Sequence, residues 1–276
     1  MVAYQNEETI DHCVSSLVLL GPNARLAICD NHESGGTIPV AQTSATRLGL
    51  PFRSLHRPDN PGFAVACNEL ASESTAAWLM FLNPDASLQA WPGIGRLPAG
   101  LSGARLINSR GHETHNYGFK RTMFDEVARR LQLPRRRPRG HGYVSGAAMV
   151  LPTHIFQQVG GFDERFYMYY EDIDLCRRLN EADTKVWLRS DFVVKHIGGH
   201  STASDPERAA VRSYESATAF YGKWRGSSWA FSLVALVDGA LRHALSRIGL
   251  PIPGGRGAES IVRLAWADVL RSLRAR

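Results

Sequence analysis

The chain has 276 residues, 44% of them hydrophobic, enough for one large α/β domain with a smaller appendage and for a core that excludes dependence on disulfide staples. Its formal net charge is +6, and nine Lys/Arg against Asp238, Glu259 and Asp268 fall between Lys223 and the C-terminus, so the body before them is near neutral. A basic tail suits a local anionic partner such as a membrane surface or a polyphosphate, or equally a solvated helix surface.

Short apolar runs alternate with helical patterns through the first half. This is the mark of an α/β fold with a Rossmann-like, mainly parallel sheet flanked by helices. Val2-Ala3-Tyr4 reads as the first strand, short for a strand expected at the sheet's centre, so the natural start is expected upstream or the strand is trimmed. A helix follows at Thr9–Leu20, then a strand at Arg25–Cys29 and a helix at Pro39–Leu48. Next come a strand at Phe52–Leu55, a helix at Gly62–Ala71, and the very apolar strand Trp78–Leu82. Further strands are expected at Ala104–Ile107, Tyr143–Val150, Lys185–Leu188 and Phe192–Val194. Between them, Ser109–Gly142 is a long polar insertion ending in an arginine cluster, Arg135–Arg139, which fits a lid or a grip on a lipid-linked phosphate. Beyond Ser204 the pattern turns helical, at Pro206–Trp224, Ser228–Ser246 and Ala258–Leu273, with a Gly/Pro-rich break at Gly249–Gly257. In the second of these, Leu233, Leu236, Val237 and Leu241 share one side. Two domains are therefore expected, 1–204 and a basic helical extension, 205–276.

Cys13, Cys29, Cys67 and Cys176 are scattered without C-x-x-C spacing. They read as small buried apolar residues in a reducing compartment, not as a zinc site or disulfide framework. No signal-peptide pattern precedes Glu7 and Glu8, and Trp229–Leu241 is too short to span a bilayer and contains Asp238. The expected location is cytoplasmic, at the inner face of the membrane if the basic tail attaches peripherally.

Four polar sites fall where strands end, the place where open α/β sheets put their ligands. Asp30-Asn31 follows Leu26–Cys29, where a carboxylate accepts hydrogen bonds from a base or ribose, or else caps a turn. Asn83-Pro84-Asp85 follows Trp78–Leu82. One carboxylate with substrate phosphate oxygens suits Mg²⁺ or Mn²⁺, which want few protein ligands, although an ordinary turn has the same letters. Glu171-Asp172-Ile173-Asp174 follows an aromatic run, and Leu175 and Leu179 put both first acids in the opening turn of a helix. There they serve as a general base for a hydroxyl or as helix-terminal acids, with Asp174 paired to Arg177 or Arg178. His196 follows Phe192–Val194 and completes a metal shell, touches phosphate, or is a structural donor, with His200 as its rival.

Taken in order over roughly Val2–Ser201, these segments resemble glycosyltransferase family 2, inverting enzymes of the GT-A fold. Val2–Asn6 is similar to that family's first strand and nucleotide loop, and Asp30-Asn31 to its nucleotide-binding acid. Arg57–Ala64 with Asn68 looks like its helix start near the donor, and Asn83-Pro84-Asp85 stands at its D-x-D motif. Gly161–Glu164 and Tyr170–Arg178 look like its acceptor-side and catalytic-acid segments, and Lys195–Ser201 like its late histidine segment. Two departures stand out. The first D-x-D acid is Asn83, as in the rhamnosyl- and galactofuranosyl-transferring branch, and the run after Asn31 is His32-Glu33-Ser34-Gly35-Gly36.

The resemblance implies transfer of a rhamnose-like or galactofuranose-like sugar from a nucleotide-diphosphate donor to an acceptor hydroxyl, in cell-surface polysaccharide or glycolipid synthesis. Asp172 is then the catalytic base, and Asp85 with His196 the ligands of a divalent metal, Mg²⁺ or Mn²⁺. Tyr4, Asn6, Asp30, Asn60, Gly62, Asn68 and Asn83 face the donor and its nucleotide. Asp163 and Glu171 face a saccharide or lipid-linked acceptor. The alternative is a catalytically degenerate nucleotide-sugar-binding protein, which Asn83 keeps open. A nucleotidyltransferase would need a glycine-rich loop after the first strand, and Tyr4–Glu8 has no glycine. A nucleic-acid partner is not expected, because Arg129–Arg139 contains no aromatic residue.

Overall fold

The computed structural model describes residues 1–114, 117–118, 142–198, 205–225, 228–247 and 258–274. The Arg135–Arg139 cluster, His200 and the Gly249–Gly257 break lie outside them. The described residues fall into two compact units. One runs from Met1 to the last strand of the sheet, and the other holds the three C-terminal helices together with Met168–Tyr170.

In the first unit, β1 (Val2–Ala3), β2 (Leu26–Asp30) and β3 (Phe52–His56) form a three-stranded parallel sheet in the order β1-β2-β3. Helices α1 (Ile10–Ser16) and α2 (Thr37–Arg47) connect them, with a 3-10 turn at Leu17–Leu20 replacing the last turn expected of the first helix. Pro39 sits inside the first turn of α2, where a missing N–H costs nothing. With two residues, β1 pairs on one side only, through Val2 with Cys29 and Ala3 with Asp30, and so lies at this sheet's edge, not at its centre as expected.

A second, five-stranded sheet has the order β4-β9-β6-β10-β5, comprising β4 (Trp78–Leu82), β5 (Ala86–Ala90), β6 (Leu101–Ile107), β9 (Ala148–Pro152) and β10 (Val186–His196). It is mixed: only β6 and β10 run parallel, and the other neighbours are antiparallel. The parallel character expected from the alternation is therefore confined to the first three strands and one pair of the second sheet. Two expected strands merge into β10 across a bulge, because the ladder to β6 skips from Arg189 to Val193. One expected strand splits into β8 (Tyr143–Val144), which pairs with β7 (Tyr117–Gly118), and β9, with the turn Ser145–Ala147 between them.

The strand alternation divides the core into two layers. Leu82, Ala148, Val150, Ala104 and Leu106 pack with α1 and α2, while Phe81, Met149, Leu151 and Leu101 face the other way. That second layer is closed by α3 (Phe63–Ser72), by Phe156 of the short α4 (Thr153–Gln158) and by Leu175 and Leu179 of α5 (Glu171–Glu181). All four cysteines are free and buried, and burial pushes the thiols of Cys13, Cys29 and Cys176 up to about 12. A cavity of about 720 Å³ lies among the strand starts, against Leu26, Phe52, Ala77 and Leu79, and holds none of the candidate site residues. It leaves Trp78, Leu79 and Met80 only partly buried on a strand whose composition predicts full burial.

In the second unit, α6 (Pro206–Arg225), α7 (Trp229–Arg247) and α8 (Ala258–Arg274) meet at one polar contact. The Tyr214 hydroxyl lies 2.6 Å from Asp268 Oδ2 and 3.1 Å from Ser232 Oγ. The apolar side of α7 read from the sequence points outward, since Leu233, Val237 and Leu241 are exposed while Phe231, Ser232 and Ala235 are buried. No described helix is long and apolar enough to cross a membrane.

Gly62 sets the entry to α3. Its φ is +99°, and a Cβ there would lie 2.5 Å from the Tyr167 carbonyl oxygen and 2.8 Å from its ring. The same carbonyl accepts the Phe63 amide at 2.9 Å. Gly62→Ala is expected to cost clearly more than ~1 kcal/mol, beyond the usual glycine-to-alanine gain. Urea unfolding measures this, and a neutral or stabilising result would contradict the close packing.

Candidate active site

The first cluster gathers at the ends of β1 and β2. Asp30 is fully buried, and both carboxylate oxygens accept backbone amides, Oδ1 from His32 and Oδ2 from Thr37, each at 3.0 Å. It thus caps α2 and closes the His32–Gly36 loop. Two amides thus hold both oxygens of the residue expected to contact a base or ribose. Asn6 is locked into the same network: its amide donates to Thr37 Oγ1 at 3.2 Å, and its carbonyl accepts from Thr9 and Ile10 to start α1. Tyr4 packs edge-on against the His32 ring at 5.0 Å between centroids. Asn31 Nδ2 donates to the Gly62 carbonyl at 3.2 Å, tying this cluster to the start of α3. Asn60, just upstream, takes a left-handed φ of 46°, a conformation asparagine tolerates.

The second cluster forms where β4 turns into β5, facing the end of β10. Antiparallel pairing of β5 with β10 sets Ala86 opposite His196, so the turn residues reach the histidine. His196 Nε2 lies 3.2 Å from Asp85 Oδ1 and 3.4 Å from Asn83 Nδ2. The Asp85 side chain is only 9% exposed. Burial pushes its carboxyl up, but the hydrogen bond and charge of His196 and nearby backbone amides outweigh that and hold it below the usual carboxylate value.

These residues fit a divalent cation. Asp85 is kept ionised, and an oxygen and a nitrogen 3.2 Å apart suit two ligands sharing one ion at bonds of about 2.1 Å. No group of three or more His, Cys, Asp or Glu able to hold a metal occurs among the described residues, so substrate oxygens and water would supply the remaining ligands.

Asp172 joins this cluster through the Ser145–Ala147 turn. The Ala147 carbonyl accepts the Asn83 amide at 2.9 Å, while the Gly146 amide donates to Asp172 Oδ2 at 2.8 Å. The Ile173 amide donates to Asp172 Oδ1 at 2.7 Å. The carboxylate is half-buried at the first turn of α5, with both oxygens oriented. Gly146 was not singled out from sequence. The available signal was a glycine inside an apolar run, which marks a break or close backbone approach.

Other expected site residues are held by neighbours in the fold. Asn68 is a clamp: its Oδ1 accepts the Phe162 amide at 2.9 Å, and its Nδ2 donates to the Phe162 carbonyl at 2.9 Å and to Glu164 at 3.0 Å. These bonds make Asn68 position the Gly161–Glu164 loop beside the place where a donor contact is expected of it. Asp163 holds Arg165 in a bidentate pair, with Arg165 Nη2 2.6 Å from Oδ2. Asp174 is fully buried and pairs with Arg178 at 2.7 Å, the helix-internal alternative. Glu171 is buried next to Asp172, and burial, with Asp172 added, holds its carboxyl well above the usual range.

With this geometry in place, likeness to known proteins is informative. Residues 1–90 match the family described as Glycosyl transferase family 2. The N-acetylglucosaminyl-diphospho-decaprenol L-rhamnosyltransferase of Mycobacterium tuberculosis is 27% identical over 278 residues, covering 87% of this chain and 88% of that protein. Rhamnosyltransferase WbbL of Escherichia coli K12 is 36% identical over 62 residues, 22% of this chain and 24% of its own. A mannosyltransferase from Pyrobaculum calidifontis, solved with GDP-Man and Mn²⁺, superposes with a TM-score of 0.55 at 13% identity, over 99% of this chain and 81% of that one.

Asn68→Ala is expected to lower stability by about 1–3 kcal/mol, since it strands the buried Phe162 amide and carbonyl. Denaturant unfolding reads this out, and an unchanged midpoint would remove the clamp.

Proposed function

We propose that this chain, a rhamnosyltransferase-like member of glycosyl transferase family 2 with the GT-A fold, moves a rhamnose-like sugar from a nucleotide diphosphate to a hydroxyl of a lipid-linked saccharide. The observation that carries the reading is the Ser145–Ala147 turn, which hydrogen-bonds the Asn83–Asp85 turn on one side and Asp172 on the other. A group suited to a diphosphate and a group suited to a hydroxyl proton are thereby held by three consecutive residues.

In this mechanism Asp172 accepts the acceptor's proton as the acceptor oxygen attacks the anomeric carbon. The bond from that carbon to the diphosphate oxygen breaks in the same displacement, and the configuration inverts. The amides of Gly146 and Ile173 orient the carboxylate before the acceptor arrives. Asp85 and His196 would hold a divalent cation, Mg²⁺ or Mn²⁺, and such an ion would neutralise charge on the leaving diphosphate. Tyr4, Asn60, Gly62 and Asn83 border the donor, and Asp30 and Asn6 keep their loops in place. The residues from 205 on form an extension whose basic residues suit an anionic partner.

Asp172→Asn should bind donor nearly as wild type yet lose about 10²–10⁴-fold in kcat, the contribution of a positioned base. A variant that keeps most of its rate removes Asp172 from that role. Asp85→Ala should weaken donor binding in Mn²⁺ buffer and matter little in EDTA, read by calorimetry with several nucleotide sugars. Equal losses in both buffers would refute the ligand assignment. A wild type that binds donor but neither transfers nor hydrolyses it in Mn²⁺ or Mg²⁺ would favour the degenerate binding protein.

A further inference from the structure

Arg105 lies on β6, half-buried, and its Nε is buried without a hydrogen-bond partner among the described residues. Lys195 lies on the neighbouring β10 and is half-buried too. The parallel register pairs Arg105 with Val193 and Ile107 with Lys195, so the two cations are diagonal neighbours. Strand spacing and rise put their backbones roughly 8 Å apart. Leu106 and Val194, paired between them, both pack into the layer with α1 and α2, which turns Arg105 and Lys195 together to the opposite face. Among the described residues neither side chain makes a hydrogen bond or an ion pair.

Two like charges side by side, partly withdrawn from water and without a carboxylate between them, weigh against the fold. The acid that pairing places on this face, Glu113 opposite Ile107, accepts the Tyr117 hydroxyl at 3.2 Å. A guanidinium fork beside an ammonium is a donor set that phosphate oxygens match. The location agrees. The antiparallel register of β6 with β9 pairs Ser102 with Val150 and Gly103 with Met149, and run onward it brings Arg105 level with Ala147, in the turn whose Gly146 amide holds Asp172. Lys195 and His196 are consecutive in β10 and so address opposite faces of the sheet. An anion met by Lys195 is therefore distinct from one met by Asp85 and His196.

We propose that Arg105 and Lys195 form a phosphate-binding pair for the acceptor, gripping the phosphate or diphosphate that joins its saccharide to the lipid. This rests on the transfer reading above, with Asp172 as base, and adds the residues that hold the acceptor's charged end. Binding there supplies the counter-charge that both side chains lack and a partner for the buried Nε.

Inorganic pyrophosphate in EDTA is the probe, since chelation silences any metal site at Asp85 and His196. By calorimetry wild type should bind it, more weakly as salt rises, and Arg105→Gln and Lys195→Gln should each lose about 10- to 100-fold in affinity. Equal binding by all three proteins, or none by wild type, would overturn the pair. Without ligand the variants should melt no lower than wild type, because each removes a charge that has no partner. A lower melting temperature with pyrophosphate affinity kept is the mark of a structural role and the contrary result. Should a glutamine variant fail to fold, Arg105→Lys decides: it keeps the charge but loses the fork, so weaker pyrophosphate binding is expected and unchanged affinity counts against the proposal.

Transfer assays then separate the source of the phosphate. Two soluble acceptors are compared, a saccharide on a short alkyl diphosphate and the same saccharide as a plain alkyl glycoside. In Arg105→Gln, KM should rise for the first and stay level for the second, with donor affinity in Mn²⁺ unchanged. A donor loss as large as the acceptor loss would assign the pair to the donor diphosphate and sink the acceptor assignment. If wild type transfers to neither acceptor, the transfer reading fails while pyrophosphate binding still decides what the pair holds.

Discussion

The turn at Ser145–Ala147 is the constraint on which the site depends. It interrupts an apolar stretch so that β8 pairs with β7 and β9 enters the five-stranded sheet, and the three residues between them are left to bond sideways. The Ala147 carbonyl takes the Asn83 amide and the Gly146 amide takes an Asp172 oxygen. These backbone groups have fixed directions, and they are anchored to Met149 and Leu151, which are completely buried. The turn that links the two acidic segments is therefore set by the core of the sheet, with the Asp172 side chain making the second contact.

Charge at the site is sorted by the same local chemistry. Asp85, mostly buried, stays ionised because His196 and nearby amides compensate the loss of water. Asp172 has two amides. Glu171, one residue away on the same helix, has an uncompensated oxygen. Three carboxyls thus have different surroundings, with His196 and amides at Asp85, two amides at Asp172, and one buried oxygen without a hydrogen-bond partner among the described residues at Glu171. The aromatic segment before α5 carries unusual backbone as well, with Tyr169 and Tyr170 at φ of 70° and 69°. Bulky residues seldom adopt that conformation unless their surroundings demand it.

Much of this was legible in the residues. Strand ends delivered Asp30, Asn83-Asp85 and His196 because apolar runs followed by polar turn residues mark the rim of an α/β sheet. The start of α5 followed from Leu175 and Leu179 at helical spacing, and it put Glu171 and Asp172 in the first turn, where they are found. Asn68 and Asp30 show where such reading stops. Each is a polar residue at a position suited to a ligand, and each is also bonded within the fold, Asn68 to Phe162 and Glu164 and Asp30 to the amides of His32 and Thr37. A sequence does not say whether a hydrogen-bonding side chain still has capacity left once the chain is folded.

By itself the sequence determined the α/β class, the order of the early elements, the buried state of the cysteines and the identity of the acids at the strand ends, because those follow from periodicity and from local backbone chemistry. Only the tertiary structure decided that the second sheet is mixed, that β10 is one bulged strand, that Asp85 meets His196, and that Gly146 holds Asp172. Those are pairings between residues up to about a hundred positions apart. Nothing local specifies them, and they arise from how the strands share hydrogen bonds and bury the two faces of one sheet.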